Sequence, residues 1–191
     1  MGKQIEQLRS DLILKGKRNP KFQEDFKTHQ KAGDEGYTDL NDIENSGAIN
    51  LVDAQVLFDM IIARRIRTVF EVGTWFGTSA RIMAEAGAEV WTCDSSNYYV
   101  ADYPRITFYH GKSSKILRKL KGMKFDMVFI DGRFKNDDCR RISRICHIFA
   151  THDYERGKKG QRCIREMKKR WPGAVLTRPC VGSTVAWLTK H

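Results

Sequence analysis

The stretch TVFEVGTWFGTSARIMAEAGAEVWTCDSS, Thr68 to Ser96, decides the fold. β-prone residues run into Glu71, a Gly-x-x-x-Gly turn follows from Gly73 to Gly77, and Thr78–Ala86 has helical character. A second short apolar run, Glu89–Cys93, ends on Asp94, 23 residues after Glu71. Strand, glycine turn, helix and strand in this order form the start of a parallel α/β sheet.

The alternation continues outward. Strands are expected at Ile106–Tyr109, Phe125–Ile130 (FDMVFI, unbroken and apolar) and His147–His152, with helices at Ser114–Leu120 and Asp137–Ile145. A basic amphipathic helix, KKGQRCIREMKKRW, stops at Pro172-Gly173, and AVLTRP and TVAWLTK read as a closing antiparallel hairpin. Upstream, Ile49–Arg65 reads as a helix whose apolar face carries Val52, Val56, Leu57, Met60, Ile61 and Ile62. The expected class is therefore α/β: a Rossmann-like, doubly wound, mostly parallel sheet with a C-terminal antiparallel hairpin. Residues 46–191 form the domain. Residues 1–45 are polar, with a short helix at Gln4–Leu14, and read as an extension that packs on the domain or covers a site.

Composition narrows the classes. With 41% hydrophobic and 30% charged residues, the 191-residue chain has the balance of a soluble globular protein. Its first residues, MGKQIEQLRSDLILKGK, are not expected to act as a secretory signal, and no apolar run nears the ~20 residues of a membrane span. The five irregularly spaced cysteines form no C-x-x-C pair and read as reduced, packed thiols, so a cytoplasmic protein is expected. Of the net charge of +11, the segment 112–170 alone carries 19 Lys/Arg against 7 Asp/Glu. That bias suits an anionic acceptor or nucleic acid, or is simply the solvated side of amphipathic helices.

In such sheets ligands bind beyond the carboxyl ends of the strands. A dinucleotide fingerprint needs a second glycine where Trp75 stands, and a P-loop needs a glycine where Ile106 stands. What remains is a ligand with a cationic amino-acid end and a ribose, without a pyrophosphate. Glu71 suits the cation, and Asp94, acceptor-only when ionised, suits the ribose hydroxyls.

These residues carry a resemblance. EVGTWFGTS, VWTCD and FDMVFIDG together resemble the class I S-adenosylmethionine-dependent methyltransferases, and more narrowly the small branch of catechol-type and sugar O-methyltransferases. The likeness runs from about Ile49 to the closing hairpin and omits residues 1–45. It implies that Glu71, Gly73, Thr74 and Gly77 line the methionine part of S-adenosylmethionine, and that Thr78 and Ser79 receive its carboxylate. Asp94 would hold the ribose, with Ser95 beside it, and His110 to Ser114, including Gly111, Lys112 and Ser113, would flank the adenine. The acid or amide that often faces the adenine amino group has no evident counterpart.

Asp131 would stand over the transferred methyl. Metal-dependent relatives add an acidic pair after the next strand; here Asp153 matches, but Tyr154 stands where Asn or Asp is usual. Asp131 and Asp153 are the expected ligands of Mg²⁺ if a metal is used. The alternative is His152 as general base. The branch's frequent His after D-G-x is Phe134 here, and the flanking Arg133 and Lys135 would meet an anionic substrate group. Trp75, Tyr98, Tyr99 and Tyr103 would stack on a ring or, as is commoner, pack internally. The function implied is methyl transfer to a hydroxyl of a small polar acceptor such as a sugar or glycan. RNA methylation and a non-catalytic S-adenosylmethionine-binding module are the rivals. The sequence is silent on oligomeric state.

Overall fold

Alternating side chains sort the strands onto the two faces of one sheet. A computed structural model of the chain describes residues 2–31, 48–132, 136–154, 158–180 and 182–190. Its seven strands are β1 (Thr68–Val72), β2 (Glu89–Asp94), β3 (Ile106–His110), β4 (Phe125–Ile130), β5 (Cys146–Thr151), β6 (Val175–Thr177) and β7 (Ala186–Thr189). They lie in the order β3-β2-β1-β4-β5-β7-β6. The first five are parallel, and β7 runs antiparallel to both β5 and β6. The doubly wound, mostly parallel sheet with its antiparallel closing pair is the expected one.

Val69, Val90, Met127, Phe129 and Ile148 point to one face, against α3 (Leu51–Ala63) and α4 (Thr78–Glu85). Phe70, Val72, Val128, Ile130 and Phe149 point to the other, against α5 (Ser113–Lys119), α6 (Asn136–Ile142) and α7 (Lys158–Lys168). Burial on both faces explains the continuous apolar run Met127–Ile130 in β4, while Asp126 before it accepts from the N–H groups of Arg67 and Thr68. The basic segment supplies all three helices of the second face. Ile116, Ile142, Ile164 and Met167 turn inward, while Lys115, Arg118, Arg140, Arg165 and Lys168 are exposed.

Three local differences from the sequence reading have physical causes. Within α3 the core face is Ala54, Leu57, Met60 and Ile61, whereas Val52 and Ile62 are 44% and 50% exposed. Asp53 occupies that core face and is fully buried. At the hairpin, the backbone N–H groups of Thr184 and Val185 donate to the Asp53 carboxylate, and the strand starts only at Ala186.

The amino-terminal segment is more ordered than its polarity suggests. It forms α1 (Gly2–Lys17) and α2 (Pro20–Lys31), and Asn19 Oδ1 accepts from the N–H groups of Lys21 and Phe22 at the start of α2. Asn followed by Pro is a helix-start signal. Ile13, Phe22 and Phe26 bury themselves with Phe76 and Tyr98 in a satellite core, with Trp75 packed on its side. At Gly16 a Cβ would fall 2.2 Å from the Phe76 ring, so only glycine lets α1 approach so closely. Residues 32–45 of the expected extension lie outside the described residues, as do residues 46–47 and Arg133, Phe134 and Lys135. Among the described residues no helix is long and apolar enough to cross a membrane.

Candidate active site

The strand order reverses between β1 and β4, and the turn after β1 sits at that point. The N–H groups of Asp131 and Gly132 both donate to Val72 O at 2.8 Å, tying the end of β4 to the turn. Gly73 has φ +101°, and a Cβ there would lie 2.4 Å from Gly132 N, backbone against backbone. Trp75, at the position a dinucleotide site gives to glycine, adopts φ +50°. Its N–H donates to Asp94 Oδ2 at 2.9 Å, and its indole meets Phe22 and Tyr98 edge-on. A small opening beside the turn is lined by Ile49, Gly73, Thr74, Thr78, Ser79 and Asp131, among others. Thr78 Oγ1 is buried without a hydrogen-bond partner, a donor left for a ligand.

Glu71 does not line that opening. It is fully buried behind the turn, where Ser79 and Thr92 donate to its two oxygens and Thr74 and Thr92 are joined at 2.6 Å. Burial raises its pKa to about 8, helped by the charges of Asp131 and Asp94 and opposed by the two hydroxyl donors. The folded state therefore keeps a proton that the unfolded chain loses near pH 4.5. That contribution is full at low pH and is lost as pH rises toward 8. Glu71→Gln is expected to remove this part of the pH dependence, so the difference in stability between the variant and the parent should move in favour of the variant from about pH 5 to 8. Urea unfolding across that range is the check, and parallel profiles would refute it.

At the end of β2, Asp94 Oδ1 accepts from Ser96 N at 2.8 Å while Oδ2 takes Trp75 N, leaving each oxygen a lone pair for a hydroxyl. Ser95 is exposed beside it, and its carbonyl meets His110 Nε2 at 3.0 Å. Gly111 N donates to Asp94 O at 2.6 Å, and Lys112 is the N-cap of α5. Ser113 Oγ donates to Asp138 Oδ2 at 3.2 Å. Asp138 is fully buried, and its Oδ1 has an ion pair to Arg141 at 3.7 Å but no hydrogen bond. This acid, brought to the β3 end by α6, is absent from the motif reading because it lies well past the Asp131-Gly132 pair. Of the tyrosines, Tyr98 is in the satellite core, Tyr99 stacks on Phe108, and Tyr103 lies under Arg81.

Asp131, His152 and Asp153 converge where β4 and β5 end. His152 Nδ1 lies 2.9 Å from Asp131 Oδ1 and 3.5 Å from Asp153 Oδ1. Its Nε2 lies 3.1 Å from Asp53 Oδ2, on α3. Burial opposes charge on this imidazole, but the hydrogen bonds to Asp131 and Asp53 and the nearby Asp153 outweigh it, and its pKa rises to about 10. Each ring nitrogen of His152 thus faces a carboxylate, a setting that suits a metal-ligating histidine as well as an oriented general base. Asp153 has φ +58°, and Tyr154 N donates to Thr184 O, so the loop turns sharply and leaves Tyr154 packed against the second core. At Gly160 of α7 a Cβ would lie 2.8 Å from His152 O, so that helix closes the loop from behind.

One ligand atom from each of Asp131, His152 and Asp153 falls within 4.8 Å of the others. Neighbouring ligands about 2.1 Å from a divalent ion are roughly 3–3.4 Å apart, close to the two distances around Nδ1. The trio therefore fits such an ion, and a nitrogen ligand suits manganese, iron or zinc better than magnesium.

A seven-stranded sheet in this order, with a glycine turn after β1 and an acid closing β2, is the Rossmann-like fold of the class I S-adenosylmethionine-dependent methyltransferases. Solved structures with this fold include an O-methyltransferase from Bacillus cereus in complex with S-adenosylhomocysteine. It is 15% identical, with 75% of this chain and 83% of that chain covered at a TM-score of 0.58. Another is the O-methyltransferase TomG of Streptomyces achromogenes, involved in tomaymycin synthesis and bound to S-adenosylmethionine (16% identical; 85% and 86% covered; TM-score 0.58). In sequence, the chain is similar to the O-methyltransferase ankF of Aspergillus thermomutatus, 31% identical over 96 residues. The match covers 43% of this chain and 40% of that protein, so the chain spans less than half of that curated relative. No family model matches the chain.

Proposed function

We propose that the chain is an S-adenosylmethionine-dependent O-methyltransferase, acting in the cytoplasm on a hydroxyl of a small polar acceptor such as a sugar or glycan. The observation that carries the reading is the meeting of Asp131, His152 and Asp153 at the strand ends beside the glycine turn. Thr78 and Ser79 receive the amino-acid end of the donor, Asp94 its ribose, and Ser113 with Asp138 the amino edge of its adenine. Asp138 then fills the role for which the motif gave no residue. The helices α1 and α2, packed on Phe76 of the turn, act as a cover over the cofactor.

The acceptor oxygen attacks the methyl carbon as the carbon–sulfur bond breaks, leaving S-adenosylhomocysteine, and the hydroxyl proton must leave. Asp131 and Asp153 orient that hydroxyl, and Asp131, which also faces the methyl, accepts its proton as the new bond forms. These two carboxylates and His152 Nδ1 are the residues that would hold a divalent cation, whose charge lowers the pKa of the acceptor hydroxyl.

Calorimetry with S-adenosylhomocysteine tests the donor assignment, and Asp94→Ala should weaken binding by about 1.5–3 kcal/mol, the worth of hydrogen bonds to a charged group. Tight NAD binding without a response to S-adenosylhomocysteine would refute it. The exposed basic residues of α5 to α7 favour an anionic acceptor. Methyl incorporation into RNA, with affinity falling steeply as salt rises, would move the acceptor to nucleic acid.

A further inference from the structure

Asp53 lies 99 residues from His152 in sequence, yet its carboxylate meets the far side of the imidazole. Its Oδ1 accepts from Ser183 Oγ (2.6 Å), Thr184 N (2.7 Å) and Val185 N (3.3 Å). Its Oδ2 accepts from Thr184 Oγ1 (2.7 Å) and Asn50 Nδ2 (2.6 Å) and faces His152 Nε2. Every neighbour other than the imidazole is a donor, and an ionised carboxylate only accepts. A buried carboxylate meeting Nε2 therefore requires a hydrogen on that nitrogen. The consequence falls on the opposite side of the ring, where Nδ1 faces Asp131 and Asp153.

We propose that Asp53 is a positioning residue for the cation site: it fixes the hydrogen of His152 on Nε2 and so presents the Nδ1 lone pair to a divalent ion between Asp131 and Asp153. This rests on the cation reading above. A ligand histidine held through its other nitrogen by a carboxylate binds a metal more tightly, because ring orientation and tautomer are set in advance and the ring is more basic. Asp53 also staples α3 to the segment before β7, and a test must separate the two roles.

Asp53→Asn separates them. Oδ1 faces two backbone N–H groups, so the amide oxygen stays there and the NH₂ takes the place of Oδ2. His152 Nε2 must then accept, the hydrogen moves to Nδ1, and the ion's ligand is lost. The new NH₂ also confronts Asn50 Nδ2. Adding Asn50→Asp to the same chain relieves this, because the introduced carboxylate accepts where the Asn50 amide donated. Ser183→Ala is the structural control, since it removes a donor on the side of Asp53 away from His152.

The readout is Mn²⁺ affinity, from the electron paramagnetic resonance of the free ion, with S-adenosylhomocysteine calorimetry and thermal melting alongside. The parent is expected to hold one Mn²⁺. Asp53→Asn and the Asn50→Asp/Asp53→Asn pair should weaken it about 10–100-fold, with the pair regaining melting temperature and S-adenosylhomocysteine affinity staying within twofold. Ser183→Ala should lower the melting temperature and keep Mn²⁺ affinity within twofold. Unchanged Mn²⁺ affinity in the folded pair overturns the proposal while leaving the cation reading intact. Equal Mn²⁺ losses in the pair and in Ser183→Ala also overturn it, reducing Asp53 to a staple. A parent that holds no Mn²⁺ overturns the cation reading and this proposal with it.

Discussion

Gly73→Ala is expected to destabilise the protein by about 3 kcal/mol or more and to abolish cofactor binding. Two costs add. A side chain at φ +101° is held in a strained backbone conformation, worth about 1–3 kcal/mol. The new methyl must also occupy the place of the Asp131–Gly132 peptide, 2.4 Å from Gly132 N, and overpacking costs about 1–3 kcal/mol more. Backbone cannot swing aside as a lysine tip can, so relief would come only by parting β1 from β4 at their ends. That separates Asp131 from the turn, which is why binding should fail even where the fold survives. Urea unfolding with S-adenosylhomocysteine calorimetry is the measurement, and a variant of near-parental stability and affinity would contradict it.

The second large effect is on chemistry. Asp131→Asn is expected to lower turnover by about 10²–10⁴-fold, the usual worth of a positioned proton-handling group. Affinity for S-adenosylhomocysteine should change little, because the turn, Thr78 and Asp94 are untouched. Removal of a divalent ion by chelation should produce a loss of the same order. Normal turnover in both His152→Ala and Asp153→Ala, with the true acceptor, would show that the chemistry lies elsewhere.

What the sequence disclosed follows the range of the forces involved. Strands β1, β2 and β4 were readable because their burial is written as local apolar runs ending at an acid or a glycine. The turn was readable because positive φ at Gly73 and Gly77 needs glycine. Helix α2 was missed because, among its described side chains, only Phe22 and Phe26 are buried, and their partners, Phe76 and Tyr98, are far along the chain. Asp53 was hidden for the same reason: inside an apolar helix an acid reads as the solvated face, as Asp59 is, and only the segment before β7 and His152 give Asp53 a buried place. His152 itself was visible as a strand-end histidine, but the carboxylate on the far side of its ring, Asp53, comes from α3 and no local spacing announces it. Trp75 kept its place in the motif, yet its glycine-like backbone angle is fixed by Asp94 and by the aromatic packing, neither of which spacing can express.

The bond between Asp53 and Thr184 joins residues 131 positions apart, and that distance has a meaning in time. At ~5–20 residues per second on the ribosome, roughly 7–26 s separate the synthesis of the two. During that interval β5 also waits, because β7 pairs with it only after β6 has been made. A nascent chain can form β1 to β4 and its glycine turn early, while Asp53 lacks the donors of Ser183 and Thr184 and the β5 edge stays open to wrong pairing. The cluster around Asp53 therefore closes well after the glycine turn can form, and a chain stalled before Ser183 would carry that turn without the donors that hold Asp53.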